Sequence, residues 1–139
     1  MTRTTWFTVT GCIALGVGLF ATLLPDLLLE AKGVAAGPAT RIWVREVGVL
    51  LLCLAVMAFL VRNHPDSPTM RALLVGNGLV HVGLFPIEIV AWHEGVISRL
   101  SGIVPNSAVH VVLAAGFFWF ARQPSGTTSR GAAPGQALG

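Results

Sequence analysis

Charge is what this sequence has least of. Asp, Glu, Lys and Arg together make up 11% of its 139 residues, and mean hydropathy is +0.76. A soluble domain of this length carries about twice that share of charge, so an ordinary water-exposed globular surface is excluded. Cysteine is nearly absent as well: Cys12 and Cys53 are the two present, each inside an apolar run, with no C-x-x-C pair. That removes a disulfide scaffold and a thiol redox motif, and leaves both as small core residues. No H-x-x-x-H or H-E-x-x-H spacing marks a metal site, no cofactor motif appears, and no repeat of solenoid period is visible. The net charge of +3 would suggest nucleic acid only if the basic residues were clustered. They are scattered between apolar segments, as the flanks of membrane helices are.

What is present is length in the apolar runs. A hydrocarbon core about 30 Å thick takes about 20 helical residues to cross, and the chain supplies four such segments at about 6–24, 42–61, 72–92 and 104–121. The expected fold is therefore all-α, an integral membrane four-helix bundle over residues 1–122, with 123–139 a disordered tail of Gly, Ser, Thr, Pro and Ala. The first run is longer than a signal-peptide core and has no small-x-small cleavage site after Leu24, so it reads as a retained helix. In it Ala14 and Gly18, with Gly11 near the same side, would let another helix approach closely. Pro25 and Asp26 end it, Leu27 to Thr40 reads as a loop with room for a short interfacial turn, and Arg62 to Arg71 is a proline-rich linker. Pro105 suits the first position of the last helix.

The segment from Arg71 to Glu94 organises the rest. It spans a bilayer yet carries Asn77, His81 and Glu88, and at about 100° per residue these three lie within about 60° of one another. Polar groups inside lipid are expensive unless they meet a partner or a water-filled cavity. Other spans contribute Arg45 and Glu46, adjacent and hence about 100° apart, and His110. Measured from the helix ends away from the termini, Arg45 and Glu46 lie about 5 Å deep, Glu88 about 6 Å and His110 about 8 Å, with His81 near mid-membrane. The expectation is a polar funnel rimmed by His93 and Glu94, in which Arg45 pairs with Glu88 or Glu46.

Basic residues set an orientation. Arg3, Arg62, Arg71, Arg122 and Arg130 flank one side and Lys32, Arg41 and Arg99 the other, which favours cytoplasmic termini of a multi-pass protein in the cell membrane. Trp6 and Trp119 then fall at the inner interface, and Trp43 and Trp92 at the outer one.

The "LLPDLLL" ending of the first span and the "RIWVREVGVLLLCLAV" start of the second resemble the DoxX-like group of small four-helix membrane proteins, over about Trp6 to Ala121. The motifs are Pro25 after the first span and Arg45 with Gly48 in the second. The resemblance implies a four-helix fold and, through some members of the group, association with redox complexes in quinone-containing membranes. It does not extend to His81 and Glu88.

Two functions follow as expectations. One is a cofactor-independent membrane isomerase or cyclase acting on a lipophilic small molecule by proton transfer. Its catalytic candidates are Glu88, His81, Glu46 and His110, with Arg45, Asn77, Trp92 and Trp43 contacting the substrate. The other is a non-catalytic DoxX-like subunit, or a quinone- or lipid-binding protein, in which the polar residues serve packing or binding. Partners in either case are the bilayer, a lipophilic molecule and a second copy or membrane complex, and no nucleic acid.

Overall fold

The computed structural model describes residues 1–123, and the remainder of the expected tail lies outside them. The described chain is all-helical: α1 (Arg3–Leu23), α2 (Pro25–Lys32), α3 (Pro38–Val61), α4 (Pro68–His93) and α5 (Leu100–Arg122). Four of these, all but α2, are long and apolar enough to cross a membrane.

Each long helix begins before its apolar run does, because polar or proline residues fit a first turn. The Thr2 hydroxyl accepts from the Thr5 N–H at 3.1 Å to open α1, and Ser67 does the same for Met70 at 3.1 Å to open α4. Pro38 and Pro68 occupy first positions of α3 and α4, where a missing N–H costs nothing. At α5 the expectation fails. The helix starts at Leu100, so Pro105 lies inside it. That removes one backbone bond, to Ser101, and the helix continues through it. Pro86 is likewise internal to a continuous α4.

The segment expected as a loop with an interfacial turn contains a helix of two turns. Pro25 starts α2, and Gly33, in the left-handed conformation at φ 68°, ends it. The Gly33 carbonyl accepts from the Ser98 hydroxyl at 2.8 Å, and the Arg99 guanidinium donates to the Glu30 carbonyl at 2.9 Å. These bonds tie α2 to the start of α5.

The spans associate as two pairs, α1 with α3 and α4 with α5. Close approach in the first rests on glycine: Gly18 and Gly48 face each other, and a side chain on either would meet the other's backbone oxygen. Gly11 lies against Phe59 in the same way. The pairs are joined at the end nearer the termini by a core of Trp6, Phe7, Met70, Leu74, Leu113, Phe117 and Phe120. Trp6 is thus a buried core residue and does not face outward; it packs on aromatic neighbours 5.5 and 5.8 Å away, and its indole N–H has no partner among the described residues. Below this core Arg3 donates to Asp66 at 3.1 Å and to the His64 carbonyl at 2.8 Å, while Arg71 reaches Asp66 at 3.1 Å. The termini end of the bundle is therefore closed. Cys12 and Cys53 are exposed, which corrects their reading as core residues: both lie on outward helix faces.

Candidate functional site

At the other end α2 sits across the bundle and delivers a residue that the sequence reading did not use. Lys32, the last residue of α2, donates from Nζ to Glu88 Oε1 at 2.6 Å. Gly102 makes this possible: α5 passes so close to α2 that a side chain there would collide with Lys32 Cα. Asn106 and Ser107 of α5 complete the surroundings of Glu88. The Asn106 amide donates to Oε1, and the Ser107 hydroxyl to Oε2 at 3.3 Å. The carboxylate is 12% exposed. It is held by one cation and two neutral donors from two other helices.

The network continues inward. Asn106 lies four residues from His110 on α5, and its Nδ2 is 3.1 Å from His110 Nε2. His110 Nδ1 is in turn 2.9 Å from His81 Nδ1 on α4. Their meeting follows from the earlier start of α5. Counted from Leu100, His110 is about 15 Å along the helix, at the depth of His81, whereas a start at Pro105 had left it near the rim.

Hydrogen-bond chemistry assigns direction to this run. A carboxylate paired with lysine only accepts, so the Asn106 atom touching it is the amide nitrogen. With neutral rings, His110 Nε2 accepts from that nitrogen and its proton sits on Nδ1. It then donates to His81 Nδ1, which leaves the His81 proton on Nε2. That last N–H has no partner among the described residues and is not among the fully buried unpaired atoms. The ring is held flat against Phe117, with centroids 5.9 Å apart and planes 12° apart. The assignment is testable: nitrogen NMR of labelled protein should report Nδ1–H for His110 and Nε2–H for His81. Asn106→Leu should abolish the preference at His110.

The other expected site residues fall elsewhere. Asn77 shares the α4 face but turns its amide back to the Leu73 carbonyl at 2.8 Å, and it lines a small apolar gap with Phe7, Leu54, Met57 and Val61. Arg45 and Glu46 are exposed on α3 with no hydrogen bond or ion pair among the described residues. The expected pairing of Arg45 with Glu88 is thus replaced by Lys32, because α2 packs against α5 at Gly102 and carries Lys32 to Glu88. Trp43 and Trp92 are 66% and 46% exposed and face outward, and His93 and Glu94 are exposed without forming a rim. Lys32, Asn106 and Ser107 were missed. The available signal was the Asn106/His110 spacing of four inside an apolar run, hidden by placing Asn106 at a helix start. Beside Lys32, an open groove is lined by Asp26, Glu30, Gly33, Arg41 and Arg99, with Arg41 and Asp26 paired at 2.6 Å.

Four helices long and apolar enough to cross a membrane, with a polar network between them, fit a multi-pass helical membrane protein. No family model, curated protein or solved structure matches the chain.

Proposed function

We propose that the protein performs acid–base chemistry of the isomerase or cyclase type on a lipophilic carbonyl compound taken from the bilayer. One observation carries this reading: the hydrogen-bonded run from Glu88 ends on His81 near mid-helix, whose Nε2 has no partner among the described residues and carries the N–H in the tautomer assigned above. Such a donor fits a carbonyl oxygen and would stabilise the enolate that forms there. Glu88 is the base. It takes a proton from carbon, the C–H electrons become a C=C bond, and charge moves to the oxygen held by His81. Return of the proton at a different carbon completes an isomerisation. His110 and Asn106 fix the tautomer of His81. The two working groups lie about 10 Å apart along α4, which suits an elongated conjugated substrate. With the termini on the cytoplasmic side, Glu88 and Lys32 would lie in the outer half of the membrane.

The test is proton exchange. Protein in lipid nanodiscs is incubated in deuterated buffer with a long-chain α,β-unsaturated ketone, and deuterium uptake at its γ-carbon is followed by mass spectrometry. The folded protein should accelerate uptake and Glu88→Gln should lose about a hundredfold of it or more, the range a positioned acid–base group contributes. Equal uptake in both would remove the carboxylate from the chemistry.

One feature favours a second reading, a non-catalytic DoxX-like subunit or quinone- or lipid-binding protein. Glu88 already takes three donors from two helices, as a structural clamp would. In that case the pair with Lys32 is replaceable by apolar residues without loss of function.

A further inference from the structure

Of the four spans, α3 is the least covered. In its most apolar window 11% is buried, against 17% for α4 and 33% for α1 and α5. It is also the one whose exposed face carries carboxylate and guanidinium groups well inside the helix, Arg45 and Glu46; the exposed residues of α1, α4 and α5 are uncharged away from the helix ends. Counted from Pro38, Glu46 lies about 12 Å along α3. Arginine has the reach to snorkel to headgroups, but a glutamate side chain is short, and a charge left facing acyl chains is costly. Something must meet it.

The exposed residues of α3 say what. Within a wider exposed arc that also holds Trp43, Val47 and Leu50, one row consists of Ile42, Glu46, Val49, Cys53, Val56 and Leu60. They succeed one another at alternating intervals of four and three, the spacing of a two-helix seam, and lie within about 80° of each other around the axis. Arg45 flanks this seam on one side and Glu46 stands toward the other. We infer that two copies of this chain associate side by side through α3, about a two-fold axis normal to the membrane, each Arg45 pairing with Glu46 of the second copy.

Self-complementarity supports a second copy over another partner. Parallel helices related by that axis present identical residues at equal depth, and the left flank of one meets the right flank of the other. Arg45 and Glu46, one residue apart, differ by about 1.5 Å in depth, so both pairs form at once and both charges leave the lipid. Ridge-into-groove packing at the shallow crossing usual for membrane helices keeps the seam together along the span.

Cys53 stands in the middle of the seam, and so reports on it. The full-length protein, reconstituted at low density in phosphatidylcholine vesicles, is treated with a membrane-permeant thiol oxidant and resolved without reductant. A covalent dimer is expected from the unaltered chain and from Cys12→Ala, and none from Cys53→Ala. Glu46→Arg should lower the dimer yield several-fold, and the double exchange Arg45→Glu with Glu46→Arg should restore it. Absence of a dimer from the unaltered chain, cross-linking through Cys12 equal to that through Cys53, or a yield indifferent to Glu46→Arg would each overturn the interface.

Discussion

Glu88→Leu is expected to lower stability by about 2–3 kcal/mol, because it leaves Lys32 without its counter-charge in a place where water is scarce. Breaking a fully buried pair costs more, about 3–5 kcal/mol, but Lys32 remains 22% exposed and can partly reach the interface. Ser107 also loses its acceptor, and Asn106 loses one of its two and keeps His110. The double variant Lys32→Met with Glu88→Leu should recover most of the loss, since no isolated charge is left. Reversible unfolding in mixed micelles measures both. A double variant as unstable as the sum of its single variants would mean that the two side chains do not act as a pair. The same double variant separates the two functional readings, because an acid–base enzyme loses turnover with it and a structural clamp does not.

The second large effect is expected at Gly48. A Cβ there would fall on the hydroxyl of Thr22 and on two backbone atoms, the nitrogen of Thr22 and the carbonyl oxygen of Gly18, which a side-chain rotation cannot move. Gly48→Leu must therefore push α1 and α3 apart along the most extensive helix contact of the molecule. Overpacking costs about 1–3 kcal/mol, and the upper end applies where backbone has to move. Gly76→Leu is the control, because the space around Gly76 is open. Thermal unfolding in detergent should show a clear drop for the Gly48 variant and little change for the Gly76 variant. Equal drops would place the cause in helix propensity and not in the α1–α3 contact.

Much of the fold could be read because lipid imposes a simple rule. A run of apolar residues long enough to cross must form a helix, since no water satisfies its backbone. That located the four spans, and Gly18 as a point of close approach. Helix ends were harder to read, because proline and small polar residues belong both to loops and to first turns. Misplacing the start of α5 kept His110 at the rim and disguised Asn106. The apolar environment also revealed Glu88 and His81 as residues needing partners. It did not say which partners, as any helix could bring them.

By itself, then, the sequence determined the helical class, the number of spans and the list of ionisable groups obliged to find company, since each of these depends on local composition and length. Only the tertiary structure decided that Lys32, and not Arg45, answers Glu88, and that the two histidines meet. Those outcomes depend on where α2 lies and on how far α5 slides along α4. The first is set by packing at Gly33 and Gly102 and the second involves the contact of Gly78 with Phe118, which couple residues distant in the chain and leave no periodic trace within it.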